Sequence, residues 1–444
     1  MDFIDSSVLP QSYHHLELIR YLLILTFVLF VPYLTLLIGS LGYSLWFDKK
    51  AKKQDNADFA LLSKKVIDFV TPTRTLPFAL GIIPLLSSLF GYAQLLHMNS
   101  GIILSGMIFT LFSFALGLFF TYKYKSELHY RDILKSKIDS DDKNILTDVD
   151  ELFQDTGSYR KHGKYSFAFL IITAIFFSGA VSEALYVETI PASTNIFFLL
   201  FRAGSWLNLF LYLSVSLAIG TAAIAFVIKN KLPGGISTDS INIKSLFGTG
   251  IVSTIVSLVF LTLGMFAYPD KAVNAFSFLM FLLCVFTVLV LLNLFYIMIK
   301  ESSYRLSTSL FYIFFLFILL FIVKDNAAFG TSARDEFYSM NKQYEKQQAE
   351  LLASMGVETV KISGEDIYNG KCIACHSFDQ KVVGPAYNNV LPKYEGKIDD
   401  LVKFILNPRK VDPAFPSMPN QGLKPNEARA IADYIMSVHM KNKG

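Results

Sequence analysis

Eight stretches of about twenty or more mostly apolar residues run through the first three quarters of the chain, and each can cross a bilayer as a helix. The spans are expected near 18–46, 76–98, 101–122, 164–188, 195–228, 246–268, 273–299 and 306–324. Of the 444 residues, 53% are hydrophobic and 17% are charged. A soluble domain carries about a quarter charged residues. The net charge of +4 gives nucleic acid no large basic surface to bind. The opening residues are acidic, and the first apolar block is longer than a signal-peptide core. It is therefore expected to stay in the membrane as the first helix.

Charge fixes the expected orientation. One set of connections, "DKKAKK" through Arg74, Lys123 through Lys164, Lys229 through Lys244, and Lys300 to Arg305, holds twenty-one Lys or Arg residues. The opposite set holds one, Lys271. Positive residues stay on the cytoplasmic side. Both termini are thus expected outside, and the even number of spans agrees by putting them on one side.

The polar tail carries the chemistry. "NGKCIACHSF" gathers Cys372, Cys375 and His376 into five residues, while the third cysteine, Cys284, lies alone in an apolar run and reads as a small buried hydrophobe. A Cys-x-x-Cys-His serves as a redox dithiol, as half a zinc site, or as a covalent haem attachment. A thioredoxin-type dithiol needs a surrounding βαβ pattern, which is missing. A zinc site needs a second cysteine pair, which is also missing. Haem attachment needs two thioether cysteines followed directly by a histidine, which is what stands here.

"SGEDIYNGKCIACH", "VGPAY", "PSMPNQGL" and "KPNEARAIADYIMSV" together resemble the class I mono-haem cytochrome c family over about residues 360–444. The resemblance implies a small all-α domain with one covalent haem c. It makes His376 one axial iron ligand and Met418, followed by Pro419, the other. It also has Pro385 of the Gly384-Pro385 pair orient the histidine. Such His/Met ligation raises the haem potential and suits an electron carrier. Met418 could instead be a core methionine, but its polar, proline-rich setting speaks against that. Met436 and Met440 are rival sulfurs inside a helix that Pro425 opens. Haem is attached on the outer side of a bacterial membrane, so this resemblance and the charge count point to the same side. Between membrane and tail, Ser332 with Asp335 reads as a capping box and Gly356 as a helix stop.

The expected architecture is therefore all-α. An eight-helix membrane domain spans 1–324, a polar helical spacer 325–357 and a cytochrome c domain 358–444.

Ionisable residues within spans are costly and mark functional sites. They gather on the outer side: His14, His15, Glu17 and Arg20 at the start of helix one, His97 at the end of helix two, Glu183 and Glu188 on helix four, and Arg202 on helix five. Gln94 and Trp206 lie at similar depths. One reading is a haem b held by His97 and either His14 or His15, with Arg20 and Arg202 pairing its propionates. The other is interfacial snorkelling toward headgroups. His129 and His162 read as solvated groups of a charged inner loop, and His439 as a surface residue.

The first hundred residues also bear a loose likeness to cytochrome bd oxidase subunit I, whose N-terminal outer histidine binds haem, here His14 or His15. The chain departs from that family in helix count and in lacking its mid-chain histidine and methionine pair. Three functions follow. The first is an electron-transfer subunit linking a quinol pool or membrane partner to a soluble cytochrome or oxidase, within a respiratory complex of the bacterial inner membrane. In that reading Glu183 is a candidate proton acceptor for quinol. The second is a bd-like oxidase or gas-reducing subunit with a fused haem c. The third is a non-redox transporter or scaffold that displays a cytochrome.

Overall fold

A computed structural model describes residues 10–54, 56–96, 101–137, 158–189, 195–231, 242–355 and 363–443. These residues are helical throughout their regular parts, with no strand among them. They form two compact units, one of Leu18–Arg334 and one of Asp335–Gly444 together with the start of the first helix up to Glu17.

Among the described residues, eight helices of the first unit are long and apolar enough to cross a membrane. They are α1 (Tyr13–Gln54), α3 (Thr75–Leu96), α4 (Gly101–Lys137), α5 (Ser158–Glu183), α6 (Ala203–Lys231), α7 (Ile243–Phe266), α8 (Ala275–Lys300) and α9 (Ser307–Ser332). A shorter helix, α2 (Ala57–Val70), lies in what reads as a basic loop. Its apolar residues recur at helical spacing, and Phe59, Leu62, Val66, Ile67 and Val70 are buried. Asn56 caps it by accepting from the Asp58 N–H. The membrane helices start on similar signals: Asn242 caps α7, and Asn274 with Ser277 forms a reciprocal capping box for α8.

In α3 a π-helical turn covers Phe78–Ile82. Pro84 has no N–H for the carbonyl four residues back, and the widened turn absorbs that missing bond. Helix α6 is the central column, with 78% of its apolar window buried. Small residues let it approach α1. A Cβ built on Gly39 would fall 1.9 Å from the Ser216 carbonyl oxygen, and Tyr43 Oη lies 2.8 Å from Thr221 Oγ1. Hydroxyl pairs join α4 to α5, with Ser113 and Thr173 at 3.0 Å and Thr121 and Ser166 at 2.6 Å.

Three expectations change. Helix α9 continues past residue 324 to Ser332, so "KDN" at 324–326 stays inside the last span. Ser332 is the last residue of α9, not an N-cap, because α10 (Arg334–Ser354) begins right after Ala333. His129 and His162 sit on α4 and α5 and are not loop residues. His129 Nε2 lies 2.8 Å from Asp68 and His162 Nδ1 3.0 Å from Glu127. Gly356, the expected stop, falls outside the described residues.

The second unit holds α10, α11 (Gly364–Ile367), α12 (Tyr387–Val390), α13 (Ile398–Leu406) and α14 (Pro425–Lys443). Its core includes Tyr368, Tyr387, Leu391, Leu401, Val402, Ile405, Ala428, Ile431, Ala432, Ile435 and Met436. Helix α11 crosses α14 at Gly364, where a Cβ would meet the Ala430 carbonyl oxygen at 2.1 Å. Tyr338 of the spacer helix packs on the same core, and Asn341 accepts the Tyr13 N–H at 2.7 Å. The spacer is thus a packed part of this unit.

Candidate functional site

The Cys-x-x-Cys-His segment is built as one tight turn. Ser363 caps α11 by accepting from the Asp366 N–H, and the helix widens into a π turn over Tyr368–Cys372. The Cys372 carbonyl then accepts from Cys375 N at 3.1 Å and from His376 N at 2.9 Å. The chain folds back over this turn, so that Val383 N and Gly384 N both donate to the Cys375 carbonyl.

That fold-back seats the histidine. The Pro385 carbonyl lies 3.1 Å from His376 Nδ1 and has only lone pairs to offer, so Nδ1 carries the proton and donates. In the neutral ring that tautomer leaves the lone pair on Nε2. The ring stacks on Tyr387, with centroids 4.9 Å apart and planes 8° from parallel. Gly384 lies against the ring itself: a Cβ there would sit 2.3 Å from His376 Cε1. One hydrogen bond, one stacked ring and one missing side chain therefore fix tautomer and orientation, as a metal-ligating imidazole requires.

Cys372 is buried and Cys375 half-buried, and neither is in a disulfide. Burial pushes the Cys372 thiol above its ordinary range, against smaller opposing contributions from the Tyr387 hydroxyl and Lys371. A redox-active thiolate would need the opposite shift. Several aliphatic side chains nearby remain exposed: Ile373 within the motif, Val382 and Val383 before Gly384, and Val411 in the loop that leads to Met418. An apolar macrocycle needs such surfaces. The free Nε2, the paired thiols and these side chains fit a covalent haem.

The methionines separate by place. Met436 belongs to the packed core and Met440 is exposed on the last turns of α14, while Met418 is half-buried in the non-helical loop between α13 and α14. His439 departs from its expected surface position. It is 4% exposed, with Nδ1 2.8 Å from Asn388 Oδ1 and Nε2 3.3 Å from Glu395.

In the membrane unit the two arginines expected to meet propionates are held by protein groups. Arg202 makes a two-point pair with Glu183 at 3.0 and 3.2 Å and lies over the Tyr186 ring at 4.1 Å. Arg20 Nη1 donates to the Asn326 carbonyl and side-chain oxygens at 3.3 and 3.2 Å, and Asn326 Nδ2 donates back to the Arg20 carbonyl. His14 and His15 are exposed on the first turn of α1. His97 lies outside the described residues, as does the side chain of Glu188. Cys284 is fully buried, as its apolar run implied.

The sequence reading missed Lys324 and Asp325. Lys324 is 1% and Asp325 8% exposed, and they pair at 3.1 Å. The Tyr268 hydroxyl also donates to Asp325. A lysine and an aspartate in the middle of a continuing apolar helix were the available signal, since "AAFG" follows them.

A sequence profile of the cytochrome c family matches residues 362–439. Cytochrome c-551 of Pseudomonas denitrificans is 38% identical over 82 residues, covering 17% of this chain and 98% of that protein. Cytochrome c-552 of Hydrogenobacter thermophilus is 34% identical over 94 residues, covering 20% of this chain and 94% of that protein. Cytochrome c-552 of Nitrosomonas europaea is 36% identical over 72 residues, 15% of this chain and 69% of the relative. The site and these likenesses define a covalent-haem protein. Through its C-terminal region the chain belongs to the cytochrome c family.

Proposed function

We propose that the protein is a membrane-bound electron-transfer cytochrome that takes electrons from quinol in the bilayer, or from a membrane partner, and passes them to a soluble acceptor. The observation that carries this is the fixed His376 ring, with Nδ1 committed to the Pro385 carbonyl and Nε2 left to a metal. Cys372 and Cys375 would hold haem c by thioethers, and His376 and Met418 would ligate its iron. When bound, the haem supplies a one-electron couple at a raised potential. The charge bias supports a location in a bacterial inner membrane with the cytochrome unit on the periplasmic side. Eight spans exceed what anchoring needs, which favours a membrane donor and further complex subunits.

A pyridine haemochrome spectrum of the detergent-solubilised protein tests this reading. One haem c per chain is expected, and none would overturn it. The same spectrum tests a haem b in the membrane unit. Arg20 and Arg202 already have protein partners, so its propionates would need other cations.

A further inference from the structure

The buried polar groups near the end of α9 form a cluster that haem attachment leaves unused. Asp325 lies about 27 Å along the helix axis from Ser307 at 1.5 Å per residue, near the far edge of a 30 Å apolar slab. There it pairs with Lys324 and accepts from Tyr268, while the Lys324 ammonium stands over the Tyr268 and Phe321 rings at 4.7 and 4.6 Å. Asp325, Asn326, Tyr92 and Tyr212 line one cavity of about 20 Å³, whose other walls include Phe27, Phe177, Phe321 and Phe329. That volume is enough for one water, and four polar residues stand in the lining.

A buried ion pair adds little stability over apolar residues of the same size, because desolvation offsets its attraction. A carboxylate kept in such a place, in the lining of a water-sized space, calls for a role in moving protons. We infer that Asp325 is the proton acceptor for oxidation of a membrane quinol, with a water taken up by the cavity carrying the proton to it. This rests on the quinol reading above. Oxidation of a quinol breaks two O–H bonds and yields a quinone, two protons and two electrons. The electrons would leave one at a time toward the covalent haem, a one-electron couple that hands the first to the soluble acceptor before taking the second. The first proton bonds to an Asp325 oxygen, which passes it on to the outer solution before the second arrives. Lys324 and Tyr268 are positioning residues that hold the carboxylate at the cavity. Glu183 does not fill this role, because Arg202 engages both of its oxygens, whereas Lys324 and Tyr268 both meet a single Asp325 oxygen, Oδ1.

The test is reduction of the full haem-loaded protein by decylubiquinol and by menadiol, followed by absorbance, with ascorbate and a small mediator as a donor that bypasses the site. Asp325→Asn should slow quinol reduction at least tenfold and leave ascorbate reduction unchanged. Glu183→Gln should stay within twofold of wild type. Asp325→Glu should restore part of the rate. A carboxylic C=O band in the quinol-minus-oxidised infrared difference spectrum should be present in wild type and absent in Asp325→Asn. Should Asp325→Asn fail to fold, Tyr268→Phe keeps the ion pair and should slow quinol reduction several-fold. Wild-type quinol rates in Asp325→Asn or Tyr268→Phe overturn the inference. Wild type that accepts electrons from ascorbate but from neither quinol removes the quinol reading itself, and the inference with it.

Discussion

At the scale of single residues, His376 shows how little is needed to fix the tautomer and orientation of an imidazole. Its orientation depends on a backbone carbonyl, a tyrosine face and the absence of a side chain at 384. Gly384→Ala would put a methyl group 2.3 Å from the His376 ring, a distance that van der Waals contact forbids. The ring must then swing away from Pro385 and Tyr387, losing a hydrogen bond and a stack worth about 1–3 kcal/mol together. The expected product still carries covalent haem but shows a larger high-spin fraction in its absorption spectrum. A spectrum identical to wild type would mean that the Gly384 contact is not what holds the ring. Of this site, the two cysteines and the histidine are legible in sequence because the chemistry demands them side by side. The seat of the ring is not, since Gly384 and Tyr387 act through space on a residue eight or more positions away.

Among the elements, legibility depends on whether the pattern runs along the chain or between chains of helices. Spans read directly, because a bilayer demands length and continuous apolarity of each one separately. Helix α2 carried a readable signal in its i, i+3, i+4 spacing, but its neighbouring lysines made it resemble a loop. The end of α9 departs from its sequence pattern for a related reason. "KDN" looks like an exit from the membrane until Tyr268 and Arg20, distant in sequence, supply its partners.

The contact of α1 with α6 is likewise invisible in either helix alone, and it gives a sharp test. At Gly39 the obstacle to a Cβ is a backbone oxygen, which moves only if the helices part. Gly39→Ala should cost about 1–3 kcal/mol by overpacking and lower the melting temperature in detergent. Gly248→Ala, where a Cβ meets nothing within 4 Å, should leave it unchanged or raise it slightly through helix propensity. Equal effects at the two glycines would show that the close approach does not limit stability.

For the whole molecule, the decisive question is which side of the membrane the cytochrome unit faces, because that determines which acceptors it reaches. The twenty-one-to-one bias of Lys and Arg is a sequence quantity, and it makes a prediction at two exposed positions. Cys284 is fully buried and Cys372 and Cys375 are expected to be consumed by haem, so an added cysteine can be read alone. With a membrane-impermeant maleimide on intact spheroplasts, Lys271→Cys should label at once. Lys52→Cys should label only after the membrane is opened. The reverse pattern would put the haem unit in the cytoplasm, where neither covalent attachment on the outer side nor a periplasmic acceptor is available, and the proposed route of electrons would have to be abandoned. The expected pattern places the electron outlet outside. It also places the Asp325 cluster at the outer end of α9, so protons and electrons taken from a quinol would leave toward the same compartment.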